Sequence, residues 1–275
     1  MCRLNPKVDF AFKKLFGSEE NKDILISFIN SVLDKPVPIK NLELKNPYNL
    51  ANYKKERVTI LDIKAIDEAG IWYDIEMQVG EQAFYDKRAV LYLAKTYSEQ
   101  IESGDDFEKL RKTIGIHIVD FNYIQEEGYH NCYKLCNVRT YKEFSDLLEL
   151  HFIELSKFDK DYKDLKTTLD RWVTFLNKAY EIDKNNIPKE LAEDISIKKA
   201  IEKLDIMYLE KEEREIYEGE LKGLRVRKAE LKAAEIKGRE EGILQVAKSL
   251  LDVLDIDTIA LKTGLSIEEV RSLKK

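Results

Sequence analysis

The sequence predicts an α/β fold: a mixed β-sheet flanked by helices, followed by a charged helical extension. Three observations carry this. Apolar residues recur at helical spacing over the first 33 positions and again between Gln82 and Ser103. Short runs rich in β-branched and aromatic residues lie around these stretches, at Ile39–Leu44, Val58–Asp67, Ile71–Val79 and Lys112–Phe121. From about Lys189 the chain turns helical and densely charged. Strands mixed with helices imply a layered domain. The expected division is a sheet domain over 1–185 and a helical extension over 186–275.

Taken in order, Asn5-Pro6 opens a first helical section, with Phe10, Phe12, Leu15 and Phe16 on one face and a break near Gly17-Ser18. Ile24, Leu25, Phe28, Ile29 and Val32 continue it until Pro36 and Pro38. Asp9 falls in the first turn, where an acid suits the helix N-terminus; a cap or surface charge explains it equally well. Ile39–Leu44 alternates as a strand, and a polar loop follows. Gln82–Ser103 reads as a long helix stopped by Gly104-Asp105-Asp106. Lys112–Phe121 is a buried strand, and Asn131–Thr140 with Leu147–Leu155 extends the sheet. Tyr162–Tyr180 places Leu165, Leu169, Trp172, Phe175 and Leu176 on a docked helical face. Beyond the linker Asp183–Pro188, Tyr217, Leu221, Leu224 and Leu231 sketch a heptad seam that Lys228 and Glu235 interrupt. The final stretch is a helix-turn-helix pattern with a capping box at Ser266 and Glu269. Its second helix offers only Arg271 and Lys274 to a nucleic acid, so a lid or assembly element is the better expectation than DNA reading.

Composition bounds the function. The 275 residues are 44% hydrophobic with a net charge of −6, which argues against a generic nucleic-acid binder. Residues 1–60 nevertheless carry more basic than acidic side chains. No apolar run reaches membrane-spanning length, and the N-terminal residues lack the apolar core of a signal peptide. The expectation is a cytoplasmic protein with no membrane association. Three cysteines fit small buried hydrophobes better than a disulfide framework or a four-ligand zinc set. The histidines, His117, His130 and His151, fall on predicted strands or their edges without metal-ligand or triad spacing, and no glycine-rich phosphate loop occurs.

The chemistry concentrates at 57–78, RVTILDIKAIDEAGIWYDIEMQ. It reads as a β-hairpin whose three-residue loop, Glu68-Ala69-Gly70, puts Gly where a left-handed residue is needed. Asp67 then faces Ile71, Lys64 faces Asp74 and Asp62 faces Glu76. Asp62, Lys64, Asp74, Glu76 and Gln78 all point to one side. Cross-strand Cβ atoms lie about 4.5–5.5 Å apart, so the Asp62 and Glu76 carboxylates repel. A divalent cation held between them offsets that repulsion, because hard cations prefer carboxylate oxygen.

An Asp on one strand and Glu-x-Gln on the next, within helix-strand-strand-strand-helix-strand, resembles the PD-(D/E)xK nuclease core. The stretches DFAFKKLFG, ILDIKA, IEMQ and RAVLYLAKTYSEQ together resemble the Rpn-type family of recombination-promoting nucleases, described as transposases. The resemblance covers residues 5 to about 180, and GLSIEEV extends it loosely into the tail. It implies a restriction-endonuclease-like core and Mg²⁺-dependent cleavage of a DNA phosphodiester, with Mn²⁺ able to substitute. Asp62 and Glu76 would hold the ion, with a backbone carbonyl of Ile75 or Met77 as an extra ligand. Asp9 matches the family's acid on the first helix and would complete the metal shell.

The superfamily pattern ends in Lys, and here Gln78 stands in its place. Its amide can hydrogen-bond a water or phosphate oxygen but cannot act as a general base. Lys64, on the same strand face, is the candidate for the missing charge; its other reading is an ion pair with Asp74. Arg88, Tyr92 and Lys95 form a helical stripe. Arg88 and Lys95 are candidates for phosphate contact, whereas a core position suits Tyr92 better. Two cuts make a double-strand break, so a homodimer built on the tail is expected. The rival readings are a non-catalytic DNA-binding or interaction protein on the same fold, and a toxin-like or phage-defence nuclease.

Overall fold

The computed structural model describes residues 3–46, 48, 63–183, 186–205 and 209–274. Two compact units emerge, Met1–Lys222 and Gly223–Lys275. The first holds helices α1 (Asp9–Phe16) and α2 (Lys22–Leu33), then strands β1 (Leu42–Leu44), β2 (Ile63–Asp67) and β3 (Trp72–Gln78). Helix α3 (Tyr85–Ser98) leads to β4 (Thr113–Val119), β5 (His130–Cys136) and β6 (Glu143–Glu154). Helices α4 (Thr168–Lys178), α5 (Lys189–Ala192) and α6 (Ile195–Lys203) follow, and the long α7 spans Lys211–Leu250.

The six strands form one mixed sheet in the order β1-β2-β3-β4-β6-β5. β3 runs parallel to β4, and β4 parallel to β6; the remaining pairs are antiparallel. Every residue of β4 is buried, as expected of a central strand covered on both faces. One cover is α3, whose Tyr85, Ala89 and Leu93 pack on Val119, Leu150 and Phe152. The other includes α1, α2 and α4, joined by Phe12, Phe16, Phe28 and Trp172. Their ring centroids lie 4.9–5.8 Å apart. Each such buried aromatic contributes roughly 1.5–3 kcal/mol through burial alone.

The expected hairpin forms in the expected register, with Lys64 opposite Asp74 and Ile63 opposite Ile75. Gly70 has φ of 80°, a conformation that favours a residue without Cβ. Asp67 locks the loop: its Oδ1 accepts from the Ala69 and Ile71 amides, both at 2.9 Å, and Oδ2 accepts from the Tyr73 hydroxyl at 2.8 Å. The first half of the expected strand, Val58–Asp62, lies outside the described residues.

Several expectations need correction. The first helix begins at Asp9, because Asn5 Oδ1 accepts the Lys7 amide in a preceding turn. α3 begins only at Tyr85, which sets its inward face to Tyr85, Ala89, Leu93 and Thr96 and leaves Phe84 and Leu91 exposed. Cys132 and Cys136 are exposed rather than buried, since β5 is an edge strand exposed along most of its length. The acidic start of α7 makes tertiary contacts that the seam does not describe. Tyr217 and Glu213 are buried. The Asn5 amide donates to the Tyr217 hydroxyl at 2.8 Å and the Phe10 amide to Glu220 Oε2 at 3.0 Å. Lys14 pairs with Glu213. These three α7 residues lie at i, i+4 and i+7, on one face.

In the second unit, α8 (Ile256–Thr263) and α9 (Ile267–Ser272) pack around Ala247, Ile259 and Val270. The capping box at Ser266 and Glu269 forms as expected. Leu231, part of the expected heptad seam, is exposed. No helix among the described residues is long and apolar enough to cross a membrane.

Replacing Asp67 with Ala removes three hydrogen bonds and strands the buried Tyr73 hydroxyl. Denaturant unfolding should show a loss of about 2–3 kcal/mol.

Candidate active site

Strand alternation builds the site. On β3, Tyr73, Ile75 and Met77 turn to the face shared with Ile63, while Asp74, Glu76 and Gln78 turn to the face covered by α3. Asp74 is 0% exposed and Glu76 2% exposed. Two carboxyl groups are thus held inside the fold by the pleat, because the apolar residues between them claim the opposite face. Burying such groups is costly unless they are paired or coordinated.

α3 supplies the cation. Arg88 Nη2 lies 3.2 Å from Glu76 Oε2, and Nη1 donates to Gln78 Oε1 at 3.0 Å and Gln82 Oε1 at 2.7 Å. The guanidinium carbon sits 5.0 Å from the Tyr92 ring centroid and 5.7 Å from that of Tyr85, within cation–π range. Burial works to lower the Arg88 pKa. The Glu76 carboxylate, with Tyr92 and Tyr85, outweighs it and holds the group above its ordinary value. The Gln78 side-chain nitrogen donates to the Gly80 carbonyl at 3.0 Å, which fixes the amide so that its oxygen faces Arg88.

Beside Glu76 in the parallel ladder is His117. It is fully buried, stacks on Phe152 and shares a 3.1 Å hydrogen bond between Nδ1 and the Tyr85 hydroxyl. Burial, with Arg88 adding to it, pushes its pKa down to about 3, so the ring is neutral. The start of α1 reaches the same end of β3. The Asp120 amide donates to the Gln78 carbonyl at 2.9 Å, and Lys7 pairs with Asp120 at 2.9 Å. Asp9 follows two residues later and forms an i,i+4 pair with Lys13 at 3.2 Å.

The structure therefore places Glu76, Gln78 and Arg88 in direct contact and sets the N-terminus of α1, which carries Asp9, at the same sheet end. Asp62 lies outside the described residues. Lys64 pairs with Glu99, a residue that Lys95 also approaches at 3.9 Å; Lys95 itself is exposed. Tyr92 is half-buried and forms a platform for Arg88 rather than a core residue. His117 and Tyr85 also belong to this region, and the sequence alone does not assign them to it. The spacing Tyr85, Arg88, Tyr92 at i, i+3, i+7 was the available signal for the aromatic clamp.

A mixed sheet whose antiparallel hairpin feeds a parallel pair, with helices on both faces and an acidic third strand ending Glu-x-Gln, defines the PD-(D/E)xK α/β nuclease fold. The chain belongs to the PD-(D/E)XK nuclease family transposases, whose family model matches residues 6–234. No curated protein and no solved structure matches it.

The depressed His117 pKa has a consequence for stability. The unfolded imidazole, titrating near 6.5, binds protons that the folded one refuses, so its stabilisation is complete above that pH and is lost as pH falls toward 3. Between pH 6.5 and 5 this site should tilt stability by up to about 1.4 kcal/mol per pH unit. His117→Phe should fold less stably at pH 7 but show a visibly flatter dependence of Tm on pH across that window.

Proposed function

We propose that the protein is a divalent-metal-dependent endodeoxyribonuclease serving recombination or a mobile element. Its chemistry resides in residues 1–185, with 186–275 as a helical extension. The observation that carries this reading is the buried Glu76 carboxylate, held on a sheet strand beside buried Asp74 and paired with Arg88. Membership of a nuclease family of transposases supports it.

The donor set fits a hard cation. Glu76, Asp74, the Gln78 amide and the strand carbonyls are all oxygen donors, the chemistry Mg²⁺ and Mn²⁺ select. Glu76 and Asp62 are the proposed ligands, with Asp9 completing the shell. The sequence expectation that Asp62 faces Glu76 rests on a hairpin register that is also the one formed at Ile63–Ile75 and Lys64–Asp74, while Asp62 itself lies outside the described residues. When bound, the metal polarises the scissile phosphate and lowers the pKa of an attacking water.

The chain's own residues do the rest. Arg88 pairs with Glu76 and orients it, and its planar fork also suits a phosphate oxygen. Gln78, held by Gly80 and Arg88, presents a fixed amide dipole at the position where the superfamily pattern has Lys. Lys64 and Lys95, one on the same strand face and one on α3, add positive charge along the path of the DNA backbone. A cytoplasmic homodimer making paired cuts suits the function.

Nicking of supercoiled DNA with Mg²⁺ or Mn²⁺ tests the reading. Glu76→Gln and Asp62→Ala should each lower the rate at least 100-fold while circular dichroism stays native. Arg88→Ala should lower it more than Lys64→Ala. If Glu76→Gln cleaves at the parental rate, Glu76 is not a metal ligand in the reaction. If the parental protein binds duplex DNA but never cuts it, a non-catalytic DNA-binding role replaces this one.

A further inference from the structure

The face of the sheet turned away from Glu76 carries a second set of metal-ligating groups. The ladder fixes the sides. Glu76 pairs with His117 and His117 with Phe152, so these share the α3 face; Ile116 pairs with His151, which therefore points to the other face. Cys132 lies directly opposite His151 in the β5–β6 ladder, and Glu149 is two residues before it on the same side. One ligand atom from each of Cys132, Glu149 and His151 lies within 4.8 Å of the others.

We propose that Cys132, His151 and Glu149 form a zinc-type site, distinct from the nuclease centre. The geometry is close to what the ion requires. Tetrahedral Zn²⁺ with bonds of about 2.3 Å to sulfur and about 2.0–2.1 Å to nitrogen sets the two ligand atoms about 3.6 Å apart. Cys132 Sγ and His151 Nε2 are 3.7 Å apart. Glu149 Oε1 is 2.7 Å from the same Nε2, so the carboxylate has to open by about 0.6 Å to reach the roughly 3.3 Å of two light ligands. Its other oxygen, Oε2, is already held by Lys112 at 2.6 Å, with Lys134 at 3.6 Å. These lysines orient the carboxylate and leave Oε1 facing the imidazole. A thiolate, a carboxylate and a neutral imidazole sum to two negative charges, matching a divalent ion. Soft sulfur with imidazole selects zinc over magnesium.

The outer shell is built as well. His130 Nε2 lies 2.9 Å from His151 Nδ1, and the two rings stack. One tautomer pair satisfies both contacts without metal: His151 Nε2–H donating to Glu149, and His151 Nδ1 accepting from His130 Nε2–H. With Nε2 on zinc, His151 carries its proton on Nδ1 and donates it to His130 Nε2, whose own proton moves to Nδ1. The change of tautomer moves protons without adding or removing any from the two rings, and the thiol releases one proton as the S–Zn bond forms. His130 is thus the second-shell partner that fixes the tautomer of the ligand. The three protein ligands leave a fourth position for water. The site lines a cleft of about 930 Å³ whose other walls include Ser27 and Asn30 of α2 and Thr168 at the start of α4.

Titration of the full chain with Zn²⁺ against a chromophoric chelator, and with Co²⁺ by absorption, tests the site. One zinc per chain with sub-micromolar affinity is expected, and the cobalt form should show a thiolate charge-transfer band. Cys132→Ser and His151→Ala should remove the band and weaken zinc binding at least 100-fold. His130→Ala should weaken it 10–100-fold while keeping the band. Cys136→Ser and Glu76→Gln should leave both unchanged, which separates this site from the nuclease centre. Zinc should also slow alkylation of Cys132, resolved by peptide mass, at least tenfold without protecting Cys136. The proposal is overturned by wild-type protein that binds no zinc below 10 micromolar (on the order of −7 kcal/mol), or by binding and alkylation that ignore Cys132→Ser and His151→Ala.

Discussion

The pairing of a buried Glu76 carboxylate with the Arg88 guanidinium organises the α3-covered face of the sheet. An ion taken out of water loses several kcal/mol of solvation even after relaxation. At β3 the loss is imposed by the pleat: three polar residues alternate with Tyr73, Ile75 and Met77, and the apolar set fills the core side. Arg88 meets the buried charge because α3 crosses the opposite face with Tyr85 and Ala89 packed inward. Tyr85 and Tyr92 flank the guanidinium, and Gln78 and Gln82 take further donors. The cation is therefore placed by packing rather than by its own long side chain. A buried pair of this kind is poor evidence of stability and better evidence of a retained purpose.

Much of this face was legible in the sequence because its determinants are local. Gly70 after two loop residues set the hairpin register, and the register set which residues share a side. Both hold over Ile63–Ile66 and Trp72–Ile75. Family resemblance added the expectation of an acid on the first helix, and α1 does start beside the end of β3. What periodicity could not supply was the partner of each charge. The sequence offers Lys64 as a charge on the strand face and Arg88 as a phosphate contact. Among the described residues it is Arg88 that reaches Glu76, because the phase of α3 is fixed by Tyr85, its first residue, rather than by Phe84.

Other features were hidden for a different physical reason. Cys132 and His151 are 19 positions apart, and only the antiparallel β5–β6 ladder brings them together. That ladder shifts register near Lys134 and Leu135, so counting from the connecting loop would have misaligned it. The contacts of Glu213 and Glu220 are hidden because their partners, Lys14 and the Phe10 amide, lie some two hundred residues away. Helical spacing puts Glu213 and Glu220 on one face of α7, but the partner surface is not deducible from it.

The two sides of one sheet thus offer different donor chemistry. The α3 side presents oxygen with an arginine, suited to hard cations and phosphate; the α2 side presents sulfur, nitrogen and oxygen beside lysines. Calorimetric titration of Mn²⁺ into the zinc-loaded protein, comparing wild type with Glu76→Gln, probes the oxygen-rich side by itself. A saturable binding event in the wild type that disappears in the variant is expected. Identical binding curves for the two proteins would contradict it.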